Sequence, residues 1–141
     1  IDVDDFKFIN DRFGHSVGDE VIKYVAGCIK QRVKGSGFAG RFGGDEFVLC
    51  ITDPKQIEEI ESLSLDLIDE LYEGYHSELA NVSINVKASI GIAFYPEHGD
   101  DSNKVVAAAD EAMYFVKKNG KANYHIYQPE DSEMEDLQHT L

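Results

Sequence analysis

Phe38-Ala39-Gly40-Arg41-Phe42-Gly43-Gly44-Asp45-Glu46-Phe47-Val48-Leu49-Cys50-Ile51 is the stretch that decides the fold. Two apolar runs, Phe38 to Phe42 and Phe47 to Ile51, flank a glycine pair and two adjacent carboxylates. Runs split by Gly-Gly predict a β-hairpin, the glycines supplying positive φ and close backbone approach. Acids at such a tip stand over whatever lies beside it. A second acidic cluster, Asp2-Val3-Asp4-Asp5, comes just before Phe6-Lys7.

Working outward, Ile1 to Val3 reads as the end of a buried strand that delivers Asp2 to a sheet edge. Val21, Ile22, Val25, Ala26, Ile29 and Val33 recur at helical spacing, which predicts an amphipathic helix over 19–33. Ser16 and Asp19 sit where a capping box would place them. Ile57, Ile60, Leu63, Leu67, Leu71, Tyr75 and Leu79 predict a second long helix over 57–79. Val82 to Phe94 alternate in polarity, as a half-buried strand or a strand pair sharing a kink would. Ser102 is placed to cap a helix carrying Val105, Ala109, Ala112 and Val116 and ending at Gly120; a short strand over Tyr124–Tyr127 follows. Helices and strands thus alternate around an antiparallel hairpin, which predicts an α+β domain with a mixed or antiparallel central sheet covered by helices.

Length and charge bound the function. The 141 residues suffice for one domain with a real core, and a 43% apolar share is ordinary for a globular chain. A formal charge of −14 argues against nucleic acid or an anionic membrane as the main partner. It also means that a bound nucleoside triphosphate would need metal ions and local lysines. Cys28 and Cys50 lie in apolar runs without metal-ligand spacing and are expected as buried free thiols, and no histidine pair has metal-site spacing. No segment is long and apolar enough to span a bilayer, and no signal peptide is evident.

Five ordered blocks resemble the diguanylate cyclase (GGDEF) family: Asp2 to Lys7 with Ile9-Asn10-Asp11; Gly14-His15 with Gly18-Asp19; Arg41-Phe42 with the hairpin pentapeptide; Ser89-Ile90-Gly91-Ile92-Ala93; and Ala109-Asp110-Glu111-Ala112-Met113-Tyr114 with Lys117, Gly120 and Lys121. The resemblance implies a palm-like fold with a catalytic hairpin. It implies an enzyme that condenses two GTP into cyclic di-GMP and two pyrophosphates, with two Mg²⁺ (or Mn²⁺) ions per site. It further implies catalysis in a homodimer, an upstream sensory domain, and a cytoplasmic domain whose full-length protein is either soluble or membrane-anchored. The family domain is expected over 1–128, lacking its N-terminal part as in a fragment, with 129–141 an acidic tail or linker.

By the same resemblance, Asp2, the Val3 carbonyl, Asp45 and Glu46 hold the metals, and Asp45 or Glu46 helps accept the 3′-hydroxyl proton. Asn10 and Asp19 match the guanine-reading pair; the alternative for Asp19 is helix capping. A carboxylate accepts from guanine N1–H and the 2-amino group, donors that adenine does not offer together. Lys7, Lys117 and Lys121 are candidate phosphate ligands, with the backbone amides of Asp5 and Phe6. Lys117 and Lys121, four apart at a helix end, are expected on one face. Gly43 and Gly44 allow close backbone approach to the nucleotide. Asp4 and His15 are assigned to structure. Where many members carry an inhibitory Arg-x-x-Asp site, this chain has Lys34-Gly35-Ser36-Gly37, so that site is expected to be missing. Two rivals stand beside the cyclase reading: a silent GTP-sensing domain controlling an attached output domain, and another nucleotidyl transferase on the same palm.

Overall fold

The computed structural model describes residues 1–132, in two compact units, Ile1–Ala88 and from Ser89 onward. The first unit runs β1 (Asp2–Val3), α1 (Phe6–Phe13), α2 (His15–Val33), β2 (Gly37–Gly43), β3 (Glu46–Ile51), α3 (Ile57–Glu73), β4 (Tyr75–Ser77) and β5 (Val82–Ile84). The strand β6 (Ala88–Ile92) begins at the boundary, and α4 (Ser102–Lys118) and β7 (Tyr124–Ile126) complete the second unit. Pairing is antiparallel in the first unit (β1 with β3, β2 with β3, β4 with β5) and parallel between β6 and β7. The chain is therefore α+β with strands of both senses, as expected.

Helix α2 organises the first unit, packing against α1, α3, β2 and β4. Its inward face carries Val17, Val21, Val25, Cys28, Ile29 and Val33, all buried. Val21 and Val25 are wholly removed from solvent, and each such side chain contributes about 1.5–3 kcal/mol of transfer free energy.

Several element ends differ from the sequence expectation. Helix α1 was not foreseen, because Phe6, Ile9 and Phe13 keep helical spacing over only two turns and Ile9 alone is buried. Helix α2 starts at His15 with Gly14 as its cap and no side-chain capping bond. Ser16 and Asp19 are therefore inside the helix, and the capping box is not formed. Helix α3 stops at Glu73 because Gly74 turns to φ 105; Tyr75 then belongs to β4 and Leu79 to the turn after it. The alternating run over 82–94 is two strands in different pairings, β5 and β6. Asp101, not Ser102, caps α4, its carboxylate accepting from Lys104 N at 2.8 Å. That helix ends at Lys118, before Gly120.

Of the expected acidic tail over 129–141, residues 129–132 are described and are helical; the remainder, with His139, lies outside the described residues. Asp131 is buried rather than solvated. Its Oδ2 accepts from Gln128 N at 2.8 Å and lies 3.1 Å from His125 Nε2, and the His125 ring stacks on Phe115 at 4.0 Å. Ser132 donates to a Glu111 carboxylate oxygen on α4.

Cys28 is buried as expected, whereas Cys50, on β3, is exposed; both are free. Burial, then a hydrogen bond to Glu70, pushes the Cys28 thiol up to about 12. That bond and Arg32 hold the Glu70 carboxyl below its ordinary value. Because the thiolate is the nucleophile, a thiol reagent near neutral pH should label Cys50 quickly and Cys28 only after unfolding. Mass spectrometry of the labelled protein checks this, and equal labelling rates would contradict it.

Candidate active site

The hairpin tip is built by a two-residue connection, with Gly43 opposite Glu46 and a register break between Arg41 and Gly43. Of the two glycines only Gly44 takes a positive φ (43°). That is the pattern of the type II′ turn, which places glycine at its first central position. Arg41 braces the tip: its Nε and Nη2 both donate to the Gly44 carbonyl, at 2.9 and 2.5 Å. A Cβ added at Gly43 or Gly44 would meet no protein atom within 4 Å, so the space over the tip is open to a close-lying ligand.

Strand β1 lies against this tip in one register. The Ile1 amine donates to the Phe47 carbonyl and Phe47 N donates back to the Ile1 carbonyl, each at 2.8 Å. Val3 N donates to the Asp45 carbonyl at 3.1 Å. Asp2 opposite Glu46 is therefore a pair flanked by hydrogen bonds, the narrow kind with about 4.5 Å between Cα atoms. The two carboxylates share a sheet face, with Asp45 at the adjoining turn, and Asp2 Oδ1 is buried. Opposed carboxylates destabilise a ladder unless positive charge joins them. The donor set of Asp2, Asp45, Glu46 and the Val3 carbonyl is all hard oxygen, which suits Mg²⁺ or Mn²⁺. Among the described residues no group of three or more His, Cys, Asp or Glu could by itself hold a metal. A metal here would draw on carbonyl and ligand oxygens as well, as Mg²⁺ commonly does.

Two residues after β1 the chain turns through Asp5, held at φ 55, and enters α1. Aspartate tolerates this left-handed conformation better than most residues. No side chain caps the helix, and the first-turn amides of Phe6 and Lys7 have no partner carbonyl within the helix. Such a turn, next to the exposed Lys7, is suited to phosphate. Asp4 is buried, and its backbone N donates to the Lys87 carbonyl at 2.8 Å, in keeping with a structural role.

Asn10, half-buried in the last turn of α1, and Asp19, exposed on α2, come from two helices that pack together. Asn10 also lies against Gly18, the residue before Asp19. Capping no longer competes for Asp19, since the cap position belongs to Gly14. His15 is the exposed first residue of α2.

Lys117 and Lys121 belong to the second unit. Lys117 is in the last turn of α4, but the helix ends before Lys121, which sits at φ 62 with its N bonded to the Val116 carbonyl at 2.9 Å. The one-face spacing expected of them fails because Gly120, Lys121 and Ala122 all take positive φ and reverse the chain. The Arg41 brace went unforeseen; the cue was an arginine beside a Gly-Gly turn whose carbonyls lack ladder partners.

The sequence model of the family described as diguanylate cyclase, GGDEF domain, matches residues 1–123. The chain is 34% identical to the diguanylate cyclase DosC of Escherichia coli over 90% of its length, and 32% identical to the cyclic di-GMP phosphodiesterase PdeR of the same organism over 92%. It spans 27% and 19% of those relatives, about a quarter or less. The GGDEF domain of TpbB (YfiN) from Pseudomonas aeruginosa superposes with a TM-score of 0.91 at 29% identity, covering 96% of this chain and 78% of that one. The chain belongs to the GGDEF family of diguanylate cyclase domains.

The Arg41 brace makes a local prediction. Arg41→Ala should speed amide hydrogen exchange at Asp45 and Glu46 by about tenfold, the scale of one charge-assisted bond. Arg41→Lys should recover only part of the protection, since lysine lacks the planar fork. Unchanged exchange in Arg41→Ala would remove the brace from the argument.

Proposed function

We propose that this domain is an active diguanylate cyclase, joining two GTP into cyclic di-GMP with release of two pyrophosphates. The observation that carries the reading is the narrow Asp2–Glu46 pair beside Asp45 at an open hairpin tip. Asp2, Asp45, Glu46 and the Val3 carbonyl would hold two Mg²⁺ or Mn²⁺ ions. When bound, these supply charge that activates the ribose 3′-hydroxyl and stabilises the leaving pyrophosphate. Asp45 or Glu46 helps accept the hydroxyl proton. The amides at the start of α1 and the Lys7 ammonium bind the phosphates, with Lys117 and Lys121 as further phosphate contacts. Asn10 and Asp19 read guanine, and Gly43 and Gly44 admit the nucleotide close to the backbone.

A homodimer completes the reaction, each protomer presenting one GTP, with an upstream sensory domain controlling the encounter. The placement that fits is cytoplasmic, where GTP is available; among the described residues no helix is long and apolar enough to cross a membrane. Similarity to a protein named for phosphodiesterase activity keeps one rival in view, a silent GTP-sensing domain that regulates an attached output domain.

Incubating the dimerised chain with GTP and Mg²⁺ and resolving the products chromatographically separates the two. A cyclic dinucleotide from GTP but not from ATP supports the cyclase, whereas tight GTP binding without turnover supports the sensor. Asp45→Ala and Glu46→Ala should each lower turnover by about 10²-fold or more. Asn10→Ala and Asp19→Ala should mainly raise the KM for GTP and relax base choice.

Regulation follows from Lys34-Gly35-Ser36-Gly37. Lys34 closes α2 and Gly35 turns at φ 80, so this segment offers neither an arginine fork nor a carboxylate to a dinucleotide. Cyclic di-GMP should inhibit weakly and competitively, which titration calorimetry of the GTP-free domain measures. Tight dinucleotide binding that survives Asp45→Ala and Asn10→Ala would reveal a separate inhibitory site.

A further inference from the structure

Gly18 is a buried glycine in the interior of α2, a position where alanine is the better helix former. The reason for glycine lies across the α1–α2 packing. A Cβ built on Gly18 would overlap Asn10 Oδ1 and stand 3.0 Å from Asn10 Cγ and 3.3 Å from Phe6 Cζ. The Asn10 backbone is itself anchored, its carbonyl accepting from Gly14 N at 2.8 Å. The carboxamide therefore lies in the space left by the missing side chain, with the Phe6 ring as a second wall.

Other tight glycines differ in kind. A Cβ on Gly37 would run into the Cys50 carbonyl, and one on Gly91 into the Ala109 carbonyl and Met113 N. Those obstructions are backbone, so the glycines there serve packing. At Gly18 the first obstruction is the far end of a side chain, which can rotate away without moving the backbone. A methyl group here would leave the fold in place and displace one amide.

We propose that Gly18 is a positioning residue whose absent Cβ seats the Asn10 carboxamide and sets its orientation toward the purine base. The inference rests on Asn10 reading guanine. An amide donates from nitrogen and accepts at oxygen, so a rotated carboxamide presents the wrong atom to the base and leaves polar groups unpaired. Gly18 also directly precedes Asp19, so the seat of one base-reading group and the attachment of the other share a single helical turn.

The test uses the full chain and needs no turnover, so it holds for an active or a silent domain. GTP affinity is measured by calorimetry for wild type, Gly18→Ala, Asn10→Ala and the double variant, with melting temperature and the Asn10 side-chain amide resonance followed by NMR. The seat predicts that Gly18→Ala weakens GTP binding by about tenfold, shifts the Asn10 resonance, and leaves the melting temperature unchanged or higher. In the Asn10→Ala background, Gly18→Ala should cause no further loss. Three results would overturn the proposal: full loss of folding in Gly18→Ala, an unmoved Asn10 resonance, or additive losses in the double variant. If Asn10→Ala binds GTP as wild type does, the base-reading role of Asn10 fails, and the seat's effect on affinity with it. If Asn10→Ala weakens binding while Gly18→Ala does not, the seat fails and the base reading stands.

Discussion

The narrow cross-strand pair between Asp2 and Glu46 is the constraint on which the rest of the site depends. It is set by the reciprocal bonds of Ile1 and Phe47 on one side and by Val3 N on the Asp45 carbonyl on the other. A slip of one residue would send Asp2 to the opposite sheet face and separate the carboxylates. The strand that enforces this is two residues long, so the register is held by few bonds, each beside a buried anchor such as Val3 or Phe47. Like-signed carboxylates set directly opposite one another weaken a ladder on their own account.

Position along the chain converts that pair into a site. The polypeptide leaves β1, turns at Asp5 in a left-handed conformation, and begins α1 at once. The acids at the strand end and the partly positive start of a helix are therefore neighbours by construction. In the proposed function one group would hold cations and the other phosphate, the two needs of a metal-bound nucleotide. The hairpin adds the third part, a tip whose glycines leave open space and whose turn is braced by Arg41.

Helix α2 carries two duties. Its valines and Ile29 make much of the first unit's core, and its early turns hold Gly18 against Asn10 and Phe6 of α1, with the exposed Asp19 next in the chain. The Cys28–Glu70–Arg32 contacts, with Tyr24 donating to the Glu70 carbonyl at 3.0 Å, tie the same helix to α3. Core packing and the placement of the candidate base-reading groups are in this way properties of one element.

From sequence alone the hairpin, the strand end at Asp2, the valine face of α2 and the helix at α4 were legible, because each has a period or a punctuation that local physics requires. The candidate ligands came instead from the resemblance of five ordered blocks to one family, since intervals between carboxylates, asparagine and lysine do not by themselves assign those roles. What the sequence could not convey was where elements stop and which groups meet. Tyr75 and Leu79 keep the helical spacing of α3, yet Gly74 ends it, and Lys121 is four residues from Lys117 without sharing its helix face. Helix α1 buries a single side chain, and its stripe of Phe6, Ile9 and Phe13 is only two turns long. The narrow Asp2–Glu46 pair and the seat at Gly18 are decided by tertiary structure, because each depends on register or close approach between different elements, whereas the Arg41 brace spans only three residues of one hairpin. Spacing in one dimension does not contain those distances.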